Sequence, residues 1–146
     1  MSASSQLNFA KIATVLVQAI LVGVILNVVL YLIGKAVGII PDSVIIPNAG
    51  TPLRLEMVVM ATAVPAVVGA LLFTLLIRFS RKGDTIFKWI SIAFLVFSFI
   101  SPFSIPGATT AMAIYLNLMH VVAAGAVIYF FTIRHHRASF LKPSLT

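Results

Sequence analysis

Few residues in this chain are equipped for chemistry, and His120 is the foremost of them. It sits in a run from Ala108 to Ile133 that holds no Lys, Arg, Asp or Glu. An ionisable side chain inside such a run is a candidate for ligand, proton or cofactor handling. The plainer alternative is a neutral imidazole hydrogen-bonded between helices. Asn117 precedes His120 by three residues, so the two share a helical face. Ala113 and Ala124 extend that face as a small-residue strip over which another helix can approach. Asn27, in the first apolar run, carries Gly23 at i−4 and Ala19 at i−8. Asn27 and Asn117 both fall about 5–7 Å toward the same side of their helix centres. They are expected either to face each other or to bracket a polar pocket with Thr62, which makes His120, Asn117, Asn27 and Thr62 the candidate ligand-binding residues. At least one of the other three is expected within hydrogen-bond reach of His120. The alternative for the amides is glue between helices. Gln18 lies nine residues from Asn27, about 180° around the helix, so one neighbour cannot bury both.

Other chemistry is thinly supplied. There is no Cys, which removes thiol redox and thiolate metal sites. The three acidic residues are Asp42, Glu56 and Asp84, and none lies inside an apolar run. No catalytic set, no metal site and no cofactor is assigned. His135 and His136 are adjacent, so on a helix their side chains point about 100° apart and chelate poorly. No P-loop, His-Glu-x-x-His or Gly-x-Ser-x-Gly motif occurs. The weakest reading makes His120 a general base, with Ser98, Ser101 and Thr109 as the candidate hydroxyls.

The elements that position these residues are apolar helices. Of 146 residues, 61% are hydrophobic and 9% charged, where soluble domains carry about 25% charged. A soluble surface and a disordered chain are both excluded. Four runs are near the roughly 20 residues that a spanning helix needs: 12–33, 57–77, 86–103 and 108–133. The first is too long for a signal-peptide core and lacks a cleavage site, so it reads as a retained anchor. Residues 1–146 are therefore expected to form one integral membrane domain, an all-α transmembrane four-helix bundle with a basic cytoplasmic tail, 134–146. Residues 43–55 alternate apolar residues around Pro47-Asn48-Ala49-Gly50, which predicts a short extracytoplasmic β-hairpin. Gly23, Ala61, Pro65, Gly69, Ala113 and Ala124 are the expected helix-packing residues. Pro65 deprives the Ala61 carbonyl of its helical donor, and a kink there would open a cavity beside His120.

The formal charge of +7 invites a nucleic-acid reading, but the cations flank apolar runs. Anionic lipid headgroups are the simpler partner, contacted by Arg78, Arg81, Lys82, Lys88, Arg134 and Arg137. With four spans, eight Lys and Arg share one side and two, Lys35 and Arg54, the other. The positive-inside bias puts both termini in the cytoplasm.

The stretch from Ser101-Pro102 through Ala108-Thr109-Thr110 to Leu118-Met119-His120-Val121-Val122-Ala123-Ala124 resembles a family of small bacterial four-helix membrane proteins. That family is classed as a domain of unknown function. The second run, ending in Leu76-Ile77-Arg78, is similar too. The resemblance implies a four-helix bundle of this length and no activity, and the expected location is a bacterial inner membrane. It draws interest to Pro102, Thr109 and His120.

Three functions fit the residues. The first is a non-enzymatic bundle that packs with itself, as a homo-oligomer, or with a larger membrane partner. The second is a small transporter or a binder of lipid or small molecules, with a pocket near Asn27, Asn117 and His120. The third is the intramembrane enzyme. A reporter fused after Thr146 is expected to read cytoplasmic, and one inserted at Asn48 external. Opposite readings would overturn the charge argument.

Overall fold

The computed structural model describes residues 6–133 and 141–142. Arg134, His135, His136 and Arg137 lie outside the described residues, as does most of the basic tail. The chain runs β1 (Gln6–Leu7), α1 (Phe9–Ala36), β2 (Ile45–Ile46), β3 (Thr51–Pro52), α2 (Leu55–Phe79) and α3 (Gly83–Ser98). It continues with α4 (Ile100–Phe103), α5 (Thr110–Ile128) extended by a π-helical turn (Tyr129–Ile133), and β4 (Leu141–Lys142). Among the described residues four stretches are long and apolar enough to cross a membrane: Phe9–Ala36, Leu55–Phe79, Gly83–Phe103 and Thr110–Ile133. The protein is an all-α, multi-pass membrane protein.

Capping sets the helix limits, and they do not coincide with the apolar runs. The α1 helix starts before Ile12 because the Asn8 side chain accepts from the Lys11 N–H at 3.2 Å. It ends beyond Ile33, where the Val37 N–H donates to the Ile33 carbonyl and Gly38 turns the chain at φ 76°. The Thr109 hydroxyl caps α5 by accepting from the Met112 N–H at 3.1 Å. The third span is broken at Phe99, between α3 and α4. Pro102 has no N–H for the Ser98 carbonyl, so the helix cannot run through unchanged.

The hairpin forms as the sequence suggests, but over fewer residues. Ile45 pairs with Pro52 and Ile46 with Thr51. Gly50 closes the turn at φ 63°, its N–H donating to the Ile46 carbonyl at 2.9 Å. A second ladder, β1 with β4, joins the two ends of the chain, with Gln6 opposite Lys142. An even number of spans brings the ends to one side, which makes that pairing possible. We refer below to the hairpin end and the terminal end of the bundle.

In the bundle α1 packs on α2 and α5, and α3 packs on the same two helices from the other side. The buried face of α1 is Ile12, Val15, Ala19, Gly23 and Asn27, a stripe at helical spacing. Two apolar cores result. At the terminal end Phe73, Phe87 and Phe131 meet edge-on or tilted, with centroids 5.0–5.9 Å apart, among Ile12, Val15 and Ile77. At the hairpin end Ile40 and Val44 fold down from the α1–α2 connection onto Val58, Met112, Leu116 and Met119.

Gly83 makes the tight α2–α3 turn possible. A Cβ there would lie 2.4 Å from the Leu76 carbonyl oxygen, a backbone atom that cannot move aside. Gly83→Ala is expected to cost about 1–3 kcal/mol, the usual range for forced overpacking. Gly125 lies within α5 and faces open space, so Gly125→Ala should be neutral or stabilising by up to about 1 kcal/mol. Thermal melts of both variants in detergent test this; equal melting temperatures would refute the steric account.

Candidate functional site

Between the two cores lies a layer of small and polar residues. Its first member is a relay across α1 and α2. The Thr62 hydroxyl donates its single hydrogen to the Val58 carbonyl at 2.9 Å. Its oxygen must then act as acceptor toward Asn27, whose Nδ2 donates at 3.0 Å. This fixes which way the Asn27 amide points and leaves Oδ1 buried without a donor. Both side chains are nearly sealed, Asn27 at 3% exposure and Thr62 at 5%. The helices come this close because Gly23 has no side chain. A Cβ there would lie 3.2 Å from Thr62 Cγ2 and 3.5 Å from Ala126 Cβ.

His120 enters the layer from α5. Its Nδ1 lies 2.8 Å from the Leu116 carbonyl oxygen. A carbonyl can only accept, so Nδ1 carries hydrogen, and in the neutral ring Nε2 is a bare acceptor. The expected bond to Asn27, Asn117 or Thr62 is not formed, because the ring turns back on its own helix one turn earlier. Nε2 has no partner among the described residues and is not sealed off.

Two cavities meet at this histidine. One of about 190 Å³ lies between α2, α3 and α5, and Pro65, Gly69, Ser91, Phe94 and Ser98 are among its walls. The other, about 330 Å³, lies under the hairpin, walled by Asn27, Asn48, Leu53, Ser101 and Pro102 among others. Ala61, Thr62, His120 and Ala123 line both. Each volume is many times the roughly 10–15 Å³ that one water requires. Among the described residues no Lys, Arg, Asp or Glu lines either cavity.

Several residues sit differently from the sequence expectation. Asn117 lines neither cavity. Its Nδ2 donates to the Phe99 carbonyl at 3.2 Å, tying α5 to the break before α4. Ala61 and Pro65 do not form a closed packing seam. They are exposed, and with half-buried Gly69 they form a cavity wall, while α2 buries Val58, Thr62, Ala66 and Ala70. The reason is α3, whose buried residues are only Gly83 and Phe87 near its start. It does not press on the middle of α2. Ala113 is buried, and half-buried Ala124 joins the lateral cavity wall. Ser91, in the wall of the lateral cavity, is not among the residues expected from the sequence. Its seven-residue spacing from Ser98, two turns on one face of an apolar helix, is the signal that marks it. No Ser or Thr hydroxyl is hydrogen-bonded to His120 among the described residues; Ser98 donates to the Leu95 carbonyl at 2.7 Å.

The two ends differ in charge. At the hairpin end Lys35 pairs with Asp42, and Arg54 with Glu56 at 3.8 Å. At the terminal end Arg78, Arg81, Lys82 and Lys88 are exposed and form no ion pair among the described residues. No cluster of three His, Cys, Asp or Glu residues occurs among the described residues.

A family model described as a family of unknown function, DUF6069, matches residues 8–137. The chain belongs to this family. No curated protein and no solved structure gives a match to it. The family's span in this DUF6069 chain takes in all four membrane helices and every wall of both cavities.

The relay gives an ordered pair of stabilities. Thr62→Val strands both ends of the buried Asn27 amide, at about 1–3 kcal/mol. Asn27→Leu removes that amide and leaves Thr62 bonded to Val58, so its cost should be under about 1 kcal/mol. Unfolding midpoints in the reverse order would show that the relay is not what joins α1 to α2.

Proposed function

We propose that the protein holds an uncharged, mainly apolar small molecule inside the bilayer, with His120 as its polar anchor. The observation that carries this reading is the unpartnered Nε2 of His120 at the junction of two cavities. A polar atom left unpaired in hydrocarbon costs several kcal/mol, and an occupant with a donor removes that cost. The uncharged walls favour an uncharged guest, since a buried ion without a counter-charge is strongly disfavoured. A pocket between bundle helices, apolar with a few convergent polar groups, is an ordinary ligand site.

In this reading the protein lies in a bacterial inner membrane with the terminal end, and so both termini, in the cytoplasm. Arg78, Arg81, Lys82 and Lys88 then contact anionic headgroups, joined by Arg134 and Arg137 of the tail. The neutral, internally paired hairpin end is the one that crosses the bilayer during insertion.

Association with a second copy or a larger membrane partner is a separate reading that Gln18 favours. It lies within a spanning helix, and its amide forms no hydrogen bond among the described residues. Its Oε1 is already enclosed by this chain, so a helix packed on that face of α1 would supply an acceptor for Nε2.

Native mass spectrometry from mild detergent reads both. Wild type is expected to retain a small molecule that His120→Leu loses, while the His120→Leu fold is kept to within about 2 kcal/mol. Any bound second chain is expected to weaken in Gln18→Leu and not in His120→Leu. A molecule retained equally by wild type and His120→Leu would remove His120 as the anchor.

A further inference from the structure

The shape of the two cavities narrows the class of occupant. The lateral cavity opens between α2 and α3, where its walls Val68 and Phe94 are 59% and 67% exposed. Both residues lie within spanning segments, so the opening faces acyl chains and not water. Toward the terminal end this cavity is stopped by Phe87, which is fully buried in the aromatic cluster. Toward the hairpin end it reaches Ser98 and the shared residues Thr62 and His120. Beyond these the second cavity continues to Asn48 and Ser101, whose side chains are exposed. One end is thus apolar and open to lipid, and the other is increasingly polar and capped by the hairpin.

The polar groups along the cavities differ in kind: Ser91, Ser101 and Asn48 can donate or accept, whereas the fixed His120 ring presents an acceptor. His120 Nε2 is an acceptor without a donor in the neutral ring. Asn27 Oδ1 also lacks a donor but is sealed within the packing, so His120 Nε2 is the acceptor that an occupant can reach. At the junction the reachable acceptor therefore calls for a donor, and the described walls supply no charge.

We propose that the occupant is a single-chain amphiphile with an uncharged hydroxyl head, entering from the bilayer between α2 and α3. Its chain lies along α3 toward Phe87, and its hydroxyl donates to His120 Nε2 at the junction. This rests on the reading of the His120 cavities as a ligand site and adds the chemical class and the route.

Trp89 is the single tryptophan and does not line the cavity, which allows a clean optical test. In Trp89→Phe/Phe94→Trp the reporter stands in the lateral wall. This double variant is reconstituted in phosphatidylcholine vesicles and titrated with a long-chain alcohol brominated on its chain. The methyl ether of that alcohol and the acid of the same chain are titrated in parallel. Saturable quenching by the alcohol is expected, with the ether at least tenfold weaker because it has no hydrogen to donate. Adding His120→Leu should bring the alcohol down to the level of the ether. Adding Ala123→Phe, which fills the junction, should abolish saturable quenching while circular dichroism stays helical. Equal binding of alcohol and ether overturns the hydroxyl assignment, and tightest binding by the acid overturns the uncharged head. Quenching that rises linearly with all three probes overturns the amphiphile. The ligand-site reading survives that last result if native mass spectrometry still finds a bound molecule that Ala123→Phe displaces, and falls with it otherwise.

Discussion

The close approach of α1 to α2 and α5 at Gly23 governs the rest of the molecule. Helices in lipid gain little from apolar burial against one another, so contact depends on packing and on hydrogen bonds between them. Gly23 removes the side chain that would hold the backbones apart, and Asn27, one turn further, uses the distance gained to reach Thr62. Thr62 is oriented for this by its bond to Val58. The relay sits between two apolar cores that have different compositions. Phenylalanines dominate one, and methionine with branched aliphatics the other. The polar layer joins the two and sets the level at which His120 meets the interior.

The α3 segment is held in a different manner, and the cavities follow from that. Phe87 locks its first turns into the aromatic cluster. At the far end Pro102 is fully buried and Asn117 grips the Phe99 carbonyl. Between these points α3 buries no residue. A helix pinned at both ends and unpacked along its middle leaves space beside α2 and α5, and Ala61, Pro65 and Gly69 lack the bulk to fill it. The same break that ends α3 at Ser98 gives the second cavity its Ser101 and Pro102 wall. Small residues and a proline thus act here by leaving room, where on α1 they act by closing it.

His120 stands where these two effects meet. Its Nδ1 is committed to its own helix, which fixes the ring and directs the remaining nitrogen to the junction. A side chain so held neither glues two helices together nor sits free in solvent. Among the described residues the cavity walls around it carry no charged group, and its neighbours Thr62 and Asn27 are already engaged with each other. The combination of a fixed ring, an open acceptor and an uncharged enclosure is what separates this site from a packed bundle interior.

Much of this was legible in the residues. Apolar runs of spanning length fix four membrane helices, because in hydrocarbon only an internally hydrogen-bonded backbone is tolerated. Pro47 to Gly50 mark the hairpin because turns are local chemistry, whereas the apolar runs alone miss the helix ends that the Asn8 and Thr109 caps set. The Ala19, Gly23 and Asn27 stripe announces a close contact from spacing alone. What spacing does not carry is which neighbour each face meets. Ala61, Pro65 and Gly69 form as good a small-residue stripe as the one on α1, yet they wall a cavity, because α3 is anchored elsewhere. Asn117 shares a helical face with His120, yet the two serve different partners, since an amide's reach is spent on whichever acceptor the fold brings near. The pairing of β1 with β4 depends on residues far apart in the chain and gives no local signal. Sequence periodicity determines which side of a helix is special; only the mutual placement of helices decides whether that side is filled, bonded or left open.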